Sequence, residues 1–324
     1  LAVQATAAGF ECLRALGPVA ALRERARTFA ADLTIVHNEI PHWIGVDLLA
    51  RGRRVAADFE DWHSEDLLPA DRRGRPLGRM RELERTLLQQ ATYVSTTSQA
   101  LSSALVERYG GRPPIVVTNS FPLQPDPRTP TTPASPAFFW FSQTIGPGRG
   151  LEEFLAAWQR TTQPSRVVLL GQIRGAFAEE LLNRLPETLR PRLEFLPLVA
   201  PAELPGVIAR HDIGLALEQA AIRNRDLTIT NKILQYLNAG LAVVASETRG
   251  QREVMARAPQ AGIVVDLAET TALAVALDNL LKDPARLPAM GRAARQAAVD
   301  HYCWEKEAPK LVAHVAAVLA GKNR

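Results

Sequence analysis

The chain has 324 residues, 47% of them hydrophobic and 22% charged, with a formal net charge of +4. That length suits two domains of ordinary size, and that composition is typical of a soluble globular protein. The sequence holds no long uncharged apolar run for a membrane-spanning helix and no nucleic-acid motif, and only Cys12 and Cys303, which exclude a disulfide framework and a zinc site.

A reducing cytoplasm is the expected compartment. The chain opens on Leu1 with no charged segment leading into an apolar signal core, so its natural start is expected upstream. From Ala31 to Thr118, short β-branched runs alternate with helical stretches, the pattern of βα units and a parallel sheet. Strands are predicted at Leu33–Val36, Arg54–Ala57, Thr92–Ser95 and Ile115–Val117. Helices are predicted at Val19–Ala31, Leu77–Gln90 and Ser98–Tyr109, the last opening on a serine cap. Pro122 to Pro136 is rich in Pro and Thr with almost no charge and reads as a linker.

The alternation then restarts. Strands are predicted at Phe138–Ser142, Arg166–Leu170, Leu193–Phe195, Ile213–Ala216, Ala242–Ala245 and Gly262–Val265, with a helix at Leu151–Arg160 after a glycine-rich turn. Thr270 to Val299 reads as two helices broken at Asp283-Pro284, and Trp304–Leu319 as the last helix. The expected organisation is residues 1–122 as an amino-terminal domain, 123–136 as linker, 137–303 as a second domain and 304–324 as a terminal helix.

The segment from Thr228 to Glu253 carries the clearest chemistry. Thr228 or Thr230 can cap a helix, Lys232 falls in its first turn, Ile233, Leu234 and Leu237 form its apolar stripe, and Gly240 ends it. A buried strand and a polar loop follow, and open α/β sheets bind ligands at strand carboxyl ends. Free N–H groups at a helix N-terminus beside a lysine can hold a diphosphate, although an ordinary capped helix on a sheet has the same pattern.

In the first half, the run Asp58 to Asp66 (DFEDWHSED) follows a predicted strand. Its Glu60, Asp61 and His63 can position a hydroxyl or accept its proton, or form a solvated acidic loop. The run Arg72 to Arg85 reads either as a dock for anionic lipid or as a solvated helix face with Arg–Glu pairs.

The order Asn231-Lys232, two apolar residues, Gln235, Tyr236, then Gly240 and a strand resembles the donor-site helix of retaining GT-B glycosyltransferases, closest to glycosyltransferase family four. AFFWFSQTIGPGRGLEEFLAAW, RVVLLG, LEFLPLVAPAELPGVIARHDIGLAL and LLKDPARLPAMGRAARQAAVDHYCWE resemble further pieces of that family in the expected order. The resemblance implies an α/β fold of two Rossmann-like, doubly wound parallel-sheet domains facing a cleft, with the donor held by the second and the acceptor along the first. It also implies that the last helix crosses back to the first domain, which lacks its leading βα units.

The implied activity is metal-independent transfer of a hexose, with retention, from a nucleotide diphosphate sugar to a saccharide or lipid-linked acceptor in bacterial envelope polysaccharide assembly. No cofactor is implied beyond that co-substrate, and the partners are the donor, the acceptor and the inner membrane surface on its cytoplasmic face. Gly148, Arg149, Gly150 and Lys232 are then the diphosphate cradle, with Arg149 at the place of a family lysine. Glu218, Asn224, Asp226 and Asn231 face the sugar or ribose, and Gln235 stands where the second of two family glutamates holds the ribose. The first glutamate's place is Leu227, and a family arginine is replaced by Thr144, unless Arg223 or Arg225 substitutes for it. Gly171, Leu198 and Val199 match the base site, His37 a strand-end histidine near the acceptor, Glu60 the place of a family histidine, and Asp61 a frequent aspartate.

A nucleotide-sugar epimerase on the same fold and a non-catalytic glycosyltransferase-like subunit are the rival readings. An oxidoreductase is disfavoured, because no GxGxxG follows an early strand with an acid about twenty residues on.

Overall fold

The computed structural model describes residues 19–125, 132 and 134–321, and most of the predicted linker lies outside them. The chain divides into two compact units: residues 1–119, 222–228 and 308–324 form unit 1, and residues 120–221 and 229–307 form unit 2. Unit 1 therefore draws on three stretches of sequence. The stretch 222–228, which reads as part of the second domain, and the terminal helix from Ala308 onward both belong to it.

Unit 1 is a four-stranded sheet of β1 (Thr34–His37), β2 (Val55–Phe59), β3 (Val94–Thr96) and β4 (Ile115–Val116), parallel throughout and in that order. The helices Val19–Thr28, Glu39–Leu49, Leu77–Gln90 and Gln99–Tyr109 connect or flank the strands. Helix Gln99–Tyr109 starts as expected, with Ser98 Oγ accepting the Leu101 N–H at 3.0 Å. Helix Glu39–Leu49 is not anticipated by the sequence pattern. Val36, Val55, Ala57, Phe59, Leu87, Leu101 and Leu105 pack one core, which Leu227 joins, while Ala56, Tyr93 and Val318 form a smaller cluster.

In unit 2, β5 (Ala137–Ile145), β6 (Arg166–Ile173), β7 (Leu193–Leu196), β8 (Ile213–Ala216), β9 (Ala242–Ser246) and β10 (Gly262–Val265) form one parallel sheet in the order β10-β9-β8-β5-β6-β7. Both faces are covered, so β8 and β9 are buried along their whole length. The period of two sends Phe138 and Trp140 into one core with Leu151, Phe154 and Leu277, and Phe139 and Phe141 into the other with Tyr236, Leu237 and Val254. β5 and β6 run longer than expected because the ladder resumes after a register shift between Phe141 and Thr144.

Tyr236 lies so close to the sheet that a Cβ on Gly214 would sit 2.2 Å from its ring. Gly214→Ala must displace a fully buried aromatic, and we expect it to cost about 1–3 kcal/mol, read as a lowered denaturation midpoint. An unchanged midpoint would contradict this packing.

Candidate functional site

Unit 2 reverses its strand order between β5 and β8. Loops leaving two such strands run to opposite faces and open a crevice at the carboxyl ends, where ligands of this architecture bind. The loop after β5 is Gly146-Pro147-Gly148-Arg149-Gly150, and Leu217 and Glu218 follow β8. Gly148 and Gly150 have φ of 74° and 78°. A Cβ on Gly150 would lie 2.6 Å from Leu267 Cδ1, so the turn that presents Arg149 requires glycine there. Glu152, in the first turn of helix Leu151–Trp158, accepts backbone hydrogen bonds from that turn, while burial still raises its carboxyl above the ordinary range.

The Arg149 guanidinium approaches Glu218 Oε2 at 3.5 Å, and Lys232 Nζ donates to Glu218 Oε1 at 2.8 Å. Glu218 and Lys232 are both buried, and Nζ also lies 5.5 Å from the Trp140 ring centroid, a cation–π placement. The Glu218 N–H donates to Ser246 Oγ at 2.8 Å, and Gln251 Nε2 donates to the same oxygen at 2.8 Å, tying the ends of β8 and β9 together. Helix Asn231–Ala239 begins at Thr230, which has an N-cap backbone but no side-chain capping bond. Its first turn is not closed by its own cap. Two cations and the start of helix Asn231–Ala239 thus stand around Glu218 at one strand switch, a charge pattern suited to a diphosphate.

Gln235 is half-buried on the helix and Asn231 is exposed at its start. Leu198 and Val199 follow β7 at its carboxyl end, with Leu198 exposed and Val199 packed on the second core. Gly171 is buried in β6, where a Cβ would lie 2.4 Å from the Ser142 carbonyl oxygen. Close packing of β5 on β6 therefore accounts for this glycine.

The sequence groups Asn224 and Asp226 with Glu218, and in the structure the stretch 222–228 belongs to unit 1 while Glu218 belongs to unit 2. Asn224 is buried in unit 1, its Oδ1 accepting the Trp62 N–H and its Nδ2 donating to Asp61 Oδ1, each at 2.7 Å. Both ends of the amide are committed to the acidic loop. Arg223, a proposed substitute for the missing cation, lies over the Trp62 ring at 5.0 Å.

The acidic loop of unit 1 is assembled around these contacts. Glu60 Oε1 accepts from Asn119 Nδ2 at 2.7 Å, and burial, with the charges of Asp61 and Asp58, raises its carboxyl. His63 is mostly buried, and burial lowers its imidazole, favouring the neutral ring. His42, 5.6 Å away between ring centroids, is buried and lowered to about 3 by burial.

His37 at the end of β1 is the open imidazole of the three, with 56% of its side chain exposed, and its Nδ1 is 2.9 Å from Asp58 Oδ2. Beneath the loop, Glu84 is buried and accepts from Trp62 Nε1, Ser64 N, Ser64 Oγ and Tyr109 Oη at 2.6–3.2 Å. Sequence reasoning missed Glu84. The available signal was a carboxylate inside the apolar stripe Met80, Leu83, Leu87 and Leu88.

The basic run from Arg72 to Arg85 is largely satisfied within unit 1. Arg75 pairs with Glu39, Arg79 with Glu82, and Arg72 and Arg81 with Glu65, while Arg85 lies over the Tyr109 ring. These pairs favour the solvated-face reading. Equal, weak binding to anionic and neutral vesicles at any salt is the expected outcome of a sedimentation assay, and salt-sensitive binding to anionic vesicles alone would contradict it. Among the described residues, no helix is long and apolar enough to cross a membrane, and no group of three or more His, Cys, Asp or Glu is arranged to hold a metal ion.

Residues 136–283 match the family described as glycosyl transferases group 1. A GDP-mannose-dependent alpha-(1-6)-phosphatidylinositol monomannoside mannosyltransferase of Mycolicibacterium smegmatis is 27% identical over 221 residues, 65% of this chain and 56% of the relative. The match thus spans little more than half of that relative's length. Among solved structures, a sucrose-phosphate synthase from Thermosynechococcus elongatus superposes with a TM-score of 0.76 at 18% identity, covering 94% of this chain and 77% of that one. Anabaena HepE in complex with UDP-glucose gives 0.72 at 18% identity, covering 94% and 84%. The chain has the GT-B fold of two Rossmann-like units.

Proposed function

We propose that the protein is a glycosyltransferase that moves a hexose from a nucleotide diphosphate sugar to a saccharide or lipid-linked acceptor, with retention, on the cytoplasmic side of a bacterial envelope pathway. The observation that carries this reading is the pairing of Lys232 and Arg149 with Glu218 beside the uncapped N-terminus of helix Asn231–Ala239. An incoming diphosphate takes over both cations, and the charge it gains as the sugar–oxygen bond breaks is met by groups already in place.

The family match over the second unit, the GDP-mannose dependence of the mannosyltransferase and the UDP-glucose bound to HepE support a nucleotide sugar as the co-substrate. Gln235 holds the ribose by a neutral hydrogen bond, which is weaker than one to a carboxylate. The test is nucleotide release from GDP-mannose and UDP-glucose with and without sugar acceptors, followed by the anomeric configuration of the product. Acceptor-dependent release with retention supports the proposal, and an altered sugar formed without acceptor supports an epimerase.

A non-catalytic role is the second reading. It is favoured by the commitment of both ends of Asn224 to unit 1 and by Leu227 at the place of a family glutamate. Nucleotide-sugar binding with no turnover would establish it.

A further inference from the structure

The sheet of unit 1 carries a cleft at the pole opposite its acidic loop. Val94 and Ile115, the first residues of β3 and β4, lie on the cleft wall, whereas the acidic loop leaves the carboxyl end of β2. The last turn of helix Leu77–Gln90, the loop at Arg112 and Pro113, and His314 of the terminal helix complete the wall, all within unit 1. The cleft measures about 750 Å³, the size of a small-molecule site. Leu88, Val94, Pro113 and Ile115 give it an apolar side. Gln90 and Arg112 are exposed, and their side chains make no hydrogen bond or ion pair among the described residues. Gln89 is fixed by donating from Nε2 to the Tyr109 carbonyl at 2.7 Å, which leaves its Oε1 to accept. In the same wall, Tyr93 Oη and His314 Nε2 are buried with no hydrogen-bond partner, and the two rings meet edge to face at 4.7 Å between centroids. Burial pushes the Tyr93 phenol up to about 12, so it stays a donor at neutral pH. Orphaned buried polar atoms are rare in folded proteins, and two on one cleft wall mark a place where an occupant supplies the missing bonds.

The charge pattern selects the occupant. Among the described residues, Arg112 is the one permanently charged side chain lining the cleft, and no carboxylate lines it. Helix Leu77–Gln90 ends at the cleft, and its partial negative charge there opposes an anion, while the arginine opposes a cation. The chemistry that remains is a neutral ligand whose hydroxyls both donate and accept and whose C–H faces suit the apolar side. One such hydroxyl can accept from the Tyr93 phenol and donate to the His314 imidazole at once, provided the two rings part to admit it. We propose that this cleft is a saccharide-binding site, in which Arg112, Gln89 and Gln90 hold the hydroxyls at the mouth and Tyr93 and His314 take one between them. The site goes beyond the transferase reading. It gives unit 1 a hold on a sugar chain at the amino ends of its strands, apart from the acidic loop at their carboxyl ends.

The test titrates mannobiose, maltose and cellobiose into the whole chain by calorimetry, with inorganic phosphate as competitor. The wild type is expected to bind at least one disaccharide, and phosphate should not displace it. Arg112→Ala should weaken that binding about 10-fold and Tyr93→Phe about 5-fold, the usual worth of a hydrogen bond from a charged and from a neutral donor. Arg112 is exposed and unpaired, so Arg112→Ala should keep the wild-type denaturation midpoint and the wild-type affinity for GDP and UDP. Tyr93→Phe removes a hydroxyl that has no partner in the fold, so without ligand its midpoint should not fall below that of the wild type. A lowered midpoint would show that the hydroxyl serves the fold and would overturn the proposal. No disaccharide bound, binding that either variant leaves intact, or displacement by phosphate would overturn it as well. A wild type that binds a disaccharide but neither GDP nor UDP would remove the donor site and leave the cleft standing.

Discussion

Lys232→Ala is expected to remove donor binding and to destabilise unit 2 at the same time. Lys232 Nζ and Glu218 Oε1 are 2.8 Å apart, and both side chains are buried. Taking away the lysine leaves a carboxylate in a dry site with Arg149, half outside it at 3.5 Å, as its remaining cation in this cluster. Breaking a buried pair in this way costs about 3–5 kcal/mol, because the charge left behind has lost its hydration without compensation.

Adding Glu218→Gln removes that stranded charge, so the double variant should recover most of the stability. It should not recover donor binding, since the diphosphate still lacks the lysine. Loss of one such electrostatic donor is worth about 10²–10³-fold in rate. Chemical denaturation of the wild type, both single variants and the double variant measures the coupling directly. A Lys232→Ala protein as stable as the wild type would contradict the buried pair, and a double variant with wild-type affinity would show that the lysine does not hold the diphosphate.

Glu84→Ala has the second largest expected effect, and it acts on unit 1. Four donors from Trp62, Ser64 and Tyr109 converge on this one buried carboxylate. Alanine leaves them without an acceptor. Each stranded donor costs about 1–3 kcal/mol, so the combined loss is several kcal/mol even if water replaces part of the network. Glu84→Gln should cost much less, because the Ser64 and Tyr109 hydroxyls can rotate to accept from its amide.

The pH dependence separates the two variants further. Burial raises the Glu84 carboxyl above its ordinary value in spite of the four hydrogen bonds. The folded protein therefore holds this proton more tightly than the unfolded chain does. The linked stability is fully present below the ordinary carboxylate range and is lost as pH rises through the elevated folded value. Glu84→Gln, which mimics the protonated form, should flatten that part of the pH–stability curve. A curve identical to the wild type would contradict the account of Glu84 as a buried, proton-linked anchor.

Much of the second unit was legible in the sequence because its elements are simple. Ile213–Ala216 and Gly262–Val265 are short β-prone runs between turns, and their observed bounds match those expected. Trp304–Leu319 also forms as expected. Helix Glu39–Leu49 was missed for a physical reason. Pro41 and Gly45 argue against a helix in the sequence EIPHWIGVDLL, yet Pro41 falls in the first turn, where no intrahelical N–H is needed. A side chain on Gly45 would meet Val36 Cγ2 at 2.9 Å, so the glycine allows close packing on β1.

The candidate site was legible in parts. Arg149, Lys232 and Glu218 are near their strand ends and helix starts, where local patterns suffice, and they come together. Sequence continuity places Asn224 with unit 2, whereas its hydrogen bonds to Asp61 and Trp62 place it in unit 1. No local pattern encodes a bond across more than 160 residues. Asp58 lay in plain view at the head of DFEDWHSED, but its tie to His37 and Ser95 depends on strand order and register.

The most direct test of the diphosphate site is a calorimetric titration of GDP, UDP and their sugar conjugates into the wild type and into the Lys232→Ala/Glu218→Gln variant. Binding of at least one nucleotide by the wild type, weakened 100-fold or more in a variant that remains folded, is the predicted result. Equal affinity in the two proteins would place the nucleotide elsewhere and contradict the site built from Arg149, Glu218 and Lys232.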